Sequence, residues 1–323
     1  MNLSNFKTKM SALATAQRPF FFLIDFELEK PVLCPLEDAQ RLGFKFEVKA
    51  FRNFKRKNRK PNPLALSISP IPKTTYTKAY HKVKDEILKG NTFLLNLTFP
   101  SVIHSPLDLE EVFHRARAPY KLLYHNQFVV YSPECFVKIK DNIIHSYPMK
   151  GTIDAKLPDA KKKLETDPKE INEHNTIVDL IRNDLSRVAN EVTVNRFRYL
   201  DKIKTQKNEI YHTSSEIKGK LPTDWKNQLP EIILSMLPAG SICGAPKTKT
   251  VSIIKNVEQG PRGYYTGIFG YFDGENLDSA VNIRYLEKKD NQLLYRSGGG
   301  ITFLSNLESE YNELIEKIYV PLV

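Results

Sequence analysis

Apolar positions along the chain follow the helical period in some segments and the strand period in others. Apolar residues recur at helical spacing in four segments, and a proline at a first helical turn adds a fifth: 76–88, 165–188, 229–237, about 309–319 and about 246–257. Runs rich in β-branched and aromatic residues predict strands in 92–99, 211–221, 264–272, 280–286 and 293–295, and an N-terminal hairpin after Arg18. Without a repeat or a long linker, this pattern predicts one α+β domain with much antiparallel sheet.

Residues 132–153 read SPECFVKIKDNIIHSYPMKGTI and form a candidate β-hairpin. The Asp-Asn pair at 141–142 lies between two alternating runs and is typical of a turn. Because strands joined by a tight turn run antiparallel, we expect Glu134 and Lys150 to lie side by side at the open end. A surface ion pair is the simpler interpretation and would contribute little. The Gly-Thr pair after Lys150 favours a ligand site, since glycine lets a ligand approach the backbone.

Two helices carry glutamates three residues apart at the edge of an apolar stripe. Glu170 and Glu173 form one pair, and Glu310 and Glu313 form the other. Each pair alone is most simply a solvated helix face. If the pairs meet, their oxygens form a site for a hard cation, and Mg²⁺ in particular binds through one or two carboxylates while keeping waters and substrate oxygens.

Two further features, a glycine run and a lone histidine, each allow two interpretations. A third segment excludes one kind of nucleotide site. The glycines at 298–300 interrupt the last predicted strand and can present bare N–H groups to an anion, although a glycine bulge also explains them. His212 lies in an extended segment, where a lone histidine is more often structural than catalytic. Residues 240–249 lack the spacing of a P-loop, which excludes a nucleoside triphosphate site of that kind.

The chain has a basic excess, with 48 Lys and Arg against 37 Asp and Glu and a net charge of +11 among 323 residues. Such an excess indicates nucleic acid or small anionic ligands as binding partners. Six basic residues lie in one run before Pro-Asn-Pro: Arg52, Lys55, Arg56, Lys57, Arg59 and Lys60. The run lacks the aromatic interleaving and the zinc-ligand pattern that indicate nucleic-acid readout, so we interpret it as a solvated loop and expect no nucleic-acid partner.

Cysteine usage and the apolar runs bear on the compartment. Cys34, Cys135 and Cys243 are far apart and odd in number, which fits neither a disulfide framework nor a zinc site and indicates a reducing compartment. The apolar run at 20–24 is too short for a signal peptide or a membrane span. We therefore expect a cytoplasmic protein with no membrane anchor.

Five segments, all in the same order, resemble the chorismate-utilising enzymes. They are SPE at 132–134, PMKGT at 148–152, IVDLIRNDLSRV at 177–188, PAGSICGAPK at 238–247 and GGGI at 298–301. The resemblance runs from about Gly90 to the C-terminus and is very specific. It implies a single large α+β domain, with two antiparallel β-sheets packed between helices. Residues 1–75 would form a shortened N-terminal part, with the hairpin and the basic loop, before a core at 76–323.

Within this family the residue before Gly-Thr separates the activities. Anthranilate synthases have P-I-A-G-T there, whereas aminodeoxychorismate synthase component I has lysine, as this chain does at Lys150. A second marker position holds the water-activating lysine in isochorismate and salicylate synthases and usually glutamine in amine-adding enzymes. It aligns with Leu94, which cannot act as a base. The resemblance therefore implies amine addition, although Leu94 departs from the aminating pattern as well.

The same resemblance implies the binding residues. Mg²⁺ would be held by Glu173 and Glu313, with Glu170 and Glu310 as further or water-mediated partners, and would clamp the ring carboxylate of chorismate. Tyr271 and Arg284 would hold the enolpyruvyl carboxylate together with Gly298, a task suited to a planar guanidinium. The residues implied to line the substrate are Gly151, Thr152, Ser241, Tyr271, Arg284, Gly298, Gly299 and Gly300.

The implied mechanism uses three residues. Glu134 would be the general acid for loss of the C4 hydroxyl, with its pKa raised by burial. Lys150 would attack C2 as a free amine, which requires its pKa to be lowered by desolvation and by the nearby cation. Ammonia would then add at C4 and displace the lysine, giving 4-amino-4-deoxychorismate, while His212 would orient or polarise groups near the leaving hydroxyl.

The implied partners are chorismate and a separate glutamine amidotransferase subunit, component II, that supplies ammonia. The product would serve 4-aminobenzoate and folate biosynthesis. Two alternatives stay open: the anthranilate synthase component I reaction, and a non-catalytic metabolite-binding or nucleic-acid-binding relative, which Leu94 and the basic run suggest.

Overall fold

A computed structural model of the chain describes residues 1–56, 67–104, 108–204, 209–258 and 260–320. Three residues of the basic run, Lys57, Arg59 and Lys60, lie outside the described residues. Of the others, Arg56 contacts Glu47 at 2.8 Å. Among the described residues, no helix is both long and apolar enough to cross a membrane.

The described residues form nine α-helices, one 3₁₀ turn (Leu36–Asp38) and eighteen strands. The helices are α1 (Leu3–Thr15), α2 (Lys73–Leu88), α3 (Leu109–Arg115), α4 (Ala160–Thr166), α5 (Pro168–Ser186), α6 (Trp225–Ser235), α7 (Gly240–Cys243), α8 (Lys247–Val257) and α9 (Leu307–Glu316). The strands of the first half are β1 (Phe20–Ile24), β2 (Val32–Pro35), β3 (Phe44–Val48), β4 (Phe51–Arg52), β5 (Ser67–Ser69), β6 (Leu94–His104), β7 (Tyr120–Tyr124), β8 (Phe128–Ser132), β9 (Cys135–Lys140), β10 (Ile143–Ser146) and β11 (Met149–Asp154). The strands of the second half are β12 (Asn190–Lys204), β13 (Glu209–Lys220), β14 (Gly244–Ala245), β15 (Ile268–Phe272), β16 (Leu277–Val281), β17 (Tyr285–Lys289) and β18 (Gln292–Thr302).

The strands form two antiparallel sheets of nine strands each. The first sheet has the order β11-β13-β10-β9-β16-β15-β1-β2, and β12 also pairs with β13. The second has the order β14-β6-β18-β17-β8-β7-β3-β4, and β5 pairs with β6. This architecture confirms the predicted α+β class with two antiparallel sheets.

The N-terminal strands belong to both sheets. The predicted hairpin is present as β1 and β2 in the first sheet, and β3 and β4 extend the second. Within β1, Phe20 and Phe22 belong to one buried cluster and Phe21 to another, because successive side chains of a strand point to opposite faces. Helix α1 was not predicted, although Phe6 and Met10 are buried on one face of it at a four-residue spacing.

The helix predicted over 165–188 is wrong at its start, because the segment contains two helices. Helix α4 ends at Thr166, and α5 begins at Pro168. Asp167 lies between them and accepts hydrogen bonds from the backbone N–H groups of Lys169 (2.9 Å) and Glu170 (3.0 Å). An N-cap followed by proline is a strong helix start, which overrides the apolar pattern that spans it.

Two strand predictions near the C-terminus are also wrong. The run 280–286 is broken, since the chain leaves the first sheet after Val281 and enters the second at Tyr285. Arg284 at this crossing has a φ of 54°, in the left-handed region. The glycines at 298–300 do not interrupt a strand but lie within β18, opposite residues 96–98 of β6.

Candidate active site

The predicted hairpin is present, and its two strands are β9 and β10. Strands β9 and β10 pair antiparallel, and Asp141 and Asn142 between them have φ angles of 53° and 59°. Positive φ at both positions is what a type I′ turn requires. Glu134 precedes β9, whereas Lys150 lies on β11, which pairs with β13. Lys150 forms its ion pair with Glu173 rather than with Glu134.

Lys150 is positioned by an irregularity in its strand. The register of β11 against β13 shifts between Lys150 and Thr152, and Gly151 has a φ of 72°. Thr213 Oγ1 donates a hydrogen bond to the carbonyl of Lys150. The Lys150 Nζ lies 3.1 Å from Oε2 of Glu173. Burial lowers the pKa of Lys150, but the neighbouring carboxylates, Glu173 above all, outweigh burial and raise it above its usual value. This is the opposite of the lowered pKa that the implied mechanism requires.

The four predicted metal-binding glutamates lie together, which their spacing could not establish. The Nζ of Lys169 is 2.7 Å from Oε1 of Glu310 and 3.7 Å from the nearest oxygens of both Glu173 and Glu313. Burial raises the pKa of Glu170, and the charge of neighbouring Glu173 adds to that effect. The carboxylates of α5 and α9 therefore share one site.

The first turns of α5 and α9 carry two of these glutamates. Glu170 lies in the first turn of α5 and Glu310 in the first turn of α9. Asp167 caps α5, and Asn306 caps α9 by accepting from Glu308 N at 3.0 Å. The partial positive charge of a helix N-terminus stabilises carboxylates there.

The carboxylate oxygens of this site are of the kind that Mg²⁺ takes as ligands. One oxygen of Glu173 and both oxygens of Glu310 are buried without a hydrogen-bond partner. Oε1 of Glu310 does form an ion pair, with the Lys169 ammonium at 2.7 Å. Buried carboxylate oxygens need a partner, and Mg²⁺ takes oxygen ligands. In the described part of the chain, no three His, Cys, Asp or Glu side chains form a ready-made metal cluster.

Glycines leave the space that the charged groups occupy. A Cβ at Gly299 would lie 3.4 Å from Oε2 of Glu310 and 3.4 Å from Oε1 of Glu313. A Cβ at Gly300 would lie 3.1 Å from Glu173 Oε2 and 3.5 Å from Lys150 Nζ. The glycines of β18 therefore form one wall of the site that contains the glutamates of α5 and α9.

Leu94 lies at the same wall. A Cβ at Gly300 would be 3.0 Å from Leu94 Cδ1, so the leucine side chain contacts the region next to Lys150 Nζ. Leu94 is buried. Its apolar side chain offers neither a base nor a hydrogen-bond donor at this position.

Glu134 is held by Ser241, which lies on α7. The Ser241 hydroxyl donates a hydrogen bond to Oε1 of Glu134. Burial raises the pKa of Glu134, although the Ser241 hydrogen bond and the Lys150 charge both lower it. Glu134 and Ser241 also line a cavity of about 20 Å³, which has room for about one water molecule. This environment favours a protonated carboxyl group that can donate a proton.

Arg284 lies close enough to influence Glu134. Its positive charge lowers the pKa of that carboxyl group. The guanidinium lies 4.9 Å from the centroid of the Tyr319 ring, and its Nε is buried without a hydrogen-bond partner. An unsatisfied guanidinium N–H beside the site suits a ligand carboxylate.

His212 lies opposite Thr152 in the pairing of β13 with β11. Its Nε2 is 3.8 Å from Oδ2 of Asp201, and its Nδ1 is buried without a hydrogen-bond partner. Burial lowers the pKa of His212 below its usual value. The ring is therefore neutral near pH 7, with one nitrogen available to a ligand.

Tyr271 is the predicted site residue that stands apart. Its ring stacks on Phe51 with centroids 4.5 Å apart and approaches Phe46 at 6.2 Å. Among the contacts of the described residues, none joins Tyr271 to Lys150 or Glu134. The structure therefore places Tyr271 in an aromatic cluster rather than beside the charged groups.

Sequence reasoning missed two lysines of the site. Lys169 lies four residues before Glu173, and Lys317 lies four residues after Glu313, a helical spacing that could have revealed both. Lys317 Nζ is 2.6 Å from Glu313 Oε1 and donates to the carbonyl of Gly298 at 3.0 Å. Burial would raise the pKa of Glu313, but Lys317 and then Lys169 lower it to about 2.

A buried ion pair joins two of the segments that carry the family resemblance. Lys247 Nζ lies 2.5 Å from Oδ2 of Asp184 and donates to the carbonyl of Met236 at 2.7 Å. This pair fixes the start of α8 against α5. It lies next to the cavity behind Glu134, of which Asp184 is a lining residue.

Comparison with known proteins gives the family. The model of the chorismate binding enzyme family matches residues 27–323. An uncharacterized PabA-like protein of Pasteurella multocida (strain Pm70) is 53% identical over 323 residues, 100% of both chains. Anthranilate synthase component 1 of Acetivibrio thermocellus is 32% identical, covering 80% of this chain and 54% of the relative. Aminodeoxychorismate synthase component 1 of Bacillus subtilis (strain 168) is 30% identical, covering 80% of this chain and 57% of the relative.

The fold has relatives among solved structures. MenF, the menaquinone-specific isochorismate synthase from Escherichia coli, has a TM-score of 0.72 at 16% identity and covers 97% of this chain and 80% of that chain. At that identity the likeness concerns the fold alone. Since the family model matches most of the chain and its motifs converge on one site, the chain belongs to the chorismate binding enzyme family.

Proposed function

We propose that this protein converts chorismate and ammonia to 4-amino-4-deoxychorismate, the reaction of aminodeoxychorismate synthase component I. The observation that carries the proposal is the position of Lys150, whose amine lies at the carboxylate site beside Gly300 and 3.1 Å from Glu173. A primary amine at that place can act as a nucleophile toward a substrate held there. The Bacillus subtilis relative of that name supports the assignment.

For the bonds that form and break in this reaction, the site offers residues that can attack, accept a proton or donate one. Lys150 loses a proton, for which Glu173 Oε2 is the base within reach, and its nitrogen bonds to C2 of chorismate. The C4–O bond breaks as Glu134 donates a proton, so that water leaves. Ammonia then bonds to C4, and the bond between C2 and the lysine nitrogen breaks. The new ammonium group at C4 returns a proton to Glu134, and Glu173 returns its proton to the lysine amine, which restores the free enzyme.

Residues around Lys150 are proposed to bind the substrate and Mg²⁺. Arg284, with its unpartnered Nε, suits the enolpyruvyl carboxylate, and His212 with its free Nδ1 suits the region of the leaving hydroxyl. Glu173 and Glu313, with Glu170 and Glu310, would hold Mg²⁺, which supplies Lewis-acid binding of the ring carboxylate. Gly151, Thr152, Ser241, Gly298, Gly299 and Gly300 are proposed to line the ring. For Tyr271 the contacts with Phe51 and Phe46 give no such support.

Ammonia would come from a glutamine amidotransferase subunit, and the product would serve 4-aminobenzoate and folate synthesis. The basis is the family's use of component pairs, as the name "component 1" of two relatives indicates. We propose a cytoplasmic location for the complex.

The test is direct. Purified protein is incubated with chorismate, MgCl₂ and an ammonium salt, and the product is identified by mass. We expect a product with the mass of 4-amino-4-deoxychorismate and no pyruvate. Lys150→Ala should abolish turnover while circular dichroism stays unchanged, and Lys218→Ala, on the same sheet, should leave turnover intact. Unaltered turnover in Lys150→Ala would contradict the covalent mechanism.

The second candidate is the anthranilate synthase component I reaction. The Acetivibrio thermocellus relative with that name is 32% identical to this chain, against 30% for the Bacillus subtilis relative. Release of pyruvate together with fluorescent anthranilate would establish this reaction instead. A chain that binds chorismate without converting it would be a metabolite-binding relative.

A further inference from the structure

We propose that Lys169 is a resident counterion of the glutamate site, one that holds α5 and α9 together without metal and that Mg²⁺ must displace. This inference rests on the proposed function only in assigning Glu173 and Glu313 to Mg²⁺. It concerns a residue that the proposed reaction does not use.

The position of the Lys169 amine carries the inference. Its Nζ lies 2.7 Å from Glu310 Oε1, 3.7 Å from Glu173 Oε1 and 3.7 Å from Glu313 Oε2. These oxygens are the ones that would surround a cation. An ammonium so close to three carboxylates occupies the region that a divalent ion requires, and two positive charges cannot share it without strong repulsion.

The other two lysines of the site have different tasks. Lys150 pairs with Glu173 on α5, and Lys317 pairs with Glu313 and with the Gly298 carbonyl. Among the ion pairs of the described residues, only those of Lys169 join α5 to α9. Losing this amine would leave Glu310 without an ion pair among the described residues, while Glu173 and Glu313 keep those with Lys150 and Lys317.

The surroundings of Lys169 allow it to leave. Its side chain is 25% exposed, whereas the side chains of Glu173 and Glu310 are 6% and 1% exposed. The amine can therefore turn toward solvent, while Glu173 and Glu310 stay buried. Its departure would expose the carboxylates to Mg²⁺ without unfolding either helix.

Titration calorimetry with MgCl₂ tests this inference on the full chain. In Lys169→Met we expect the Mg²⁺ dissociation constant to fall about tenfold or more, because no ammonium has to be displaced. Lys169→Arg keeps the charge and should bind Mg²⁺ no more tightly than wild type. Lys162→Met, an exposed residue on α4, removes the same charge away from the site and should match wild type. An unchanged or weaker affinity in Lys169→Met would overturn the inference.

Thermal unfolding supplies a second readout. In EDTA, Lys169→Met should unfold at a lower temperature than wild type, since buried Glu310 loses its counterion and no ion pair joins α5 to α9 among the described residues. MgCl₂ should raise the unfolding temperature of this variant by more than it raises that of wild type. Equal shifts in the two proteins would contradict the inference.

A measurement on wild type covers the case in which Lys169→Met fails to fold. The protein is treated briefly with an amine-acylating reagent in EDTA or in MgCl₂, and peptides are mapped by mass. Acylation of Lys169 should increase with MgCl₂, while that of Lys162 stays constant. Equal or lower acylation of Lys169 in MgCl₂ would overturn the inference. Wild type that turns over chorismate without binding Mg²⁺ would refute the metal assignment of the proposed function as well.

Discussion

At the residue scale, Glu134 and Lys150 differ in what surrounds their charges. Burial favours the protonated form of Glu134 and outweighs the Ser241 hydrogen bond, which favours the carboxylate. Lys150 meets several carboxylates, so its charged form is favoured until a substrate displaces that balance. The environment of Glu134 thus suits a general acid, whereas Lys150 must first lose a proton before it can act as a nucleophile.

Ser241 should tune the pH dependence of the reaction. Glu134 is active when protonated, so kcat/KM falls as pH rises through its raised pKa. The Ser241 hydroxyl stabilises the carboxylate, so Ser241→Ala should raise this pKa further and move the fall in kcat/KM to higher pH. The measurement is a pH profile of kcat/KM. Ser235→Ala, at the end of α6, should leave the profile unchanged, and a shift to lower pH in Ser241→Ala would contradict the assignment.

Gly300→Ala should reduce activity while preserving the fold. The added Cβ would lie 3.0 Å from Leu94 Cδ1 and 3.1 Å from Glu173 Oε2, so the wall of the site must shift. Because a shift of this wall would misalign the reacting groups, we expect kcat/KM to fall by about tenfold or more. The double variant Leu94→Ala, Gly300→Ala relieves one of the two contacts and should recover part of the loss. Full activity in Gly300→Ala would show that this wall does not touch the substrate.

Sequence predicted most residues of the site because their motifs are local. Glu134, Lys150 and the glutamate pairs were identified with their spacing. What could not be predicted is which side chain meets which: Lys150 contacts Glu173, 23 residues away, rather than Glu134. Tyr271 was assigned by resemblance, and its aromatic neighbours come from distant parts of the chain.

At the element scale, helix starts set the geometry of the glutamate site. Asp167 and Asn306 decide where α5 and α9 begin and thereby which turn carries each glutamate. The unpaired N–H groups of a first turn and the helix dipole both favour the carboxylates there.

Asp167→Ala should therefore weaken both stability and metal binding. Loss of the cap costs about 1 kcal/mol of unfolding free energy and loosens the turn that carries Lys169 and Glu170. Urea denaturation measures the first effect and titration with MgCl₂ the second. Asp224 precedes α6 without a capping hydrogen bond, so Asp224→Ala should change stability less. Equal losses in the two variants would contradict this role for Asp167.

Elements with local start and stop signals were predicted well, and those shaped by pairing were not. The hairpin of β9 and β10 follows from its turn residues. The break between β16 and β17 has no comparable signal, because it arises where the chain crosses from one sheet to the other.

At the scale of the whole molecule, Arg262 ties distant elements together. Its buried guanidinium forms two hydrogen bonds with Glu258, at 2.6 and 2.8 Å, and donates to the carbonyls of Ile242 (2.9 Å) and Asn96 (2.7 Å). Asn96 lies on β6 of the second sheet, and Ile242 on α7, beside Ser241. The position of the site thus depends on a charge that lies outside it.

Arg262→Ala should be strongly destabilising. Removing one partner leaves Glu258 buried without its counter-charge, which costs about 3–5 kcal/mol of unfolding free energy. Arg18 forms an exposed ion pair with Glu37, so Arg18→Ala should cost at most about 1 kcal/mol. Urea denaturation of both variants makes the comparison, and similar losses would refute the tie between elements.

The fold class followed from the sequence, whereas the order of the strands did not. Strand β1 pairs with β15, so residues 20–24 lie beside residues 268–272. No local pattern encodes such a pairing, which depends on burying both faces of β1 at once.

The place of β11 at one end of the first sheet has a consequence for motion. Lys150 lies on a strand whose backbone is paired only with β13, so its amides should exchange with deuterium faster than those of central β15. Chorismate bound against Lys150 should slow that exchange. Lys150, the proposed nucleophile, thus lies on a strand at one end of the sheet. Bound substrate would make that strand more rigid.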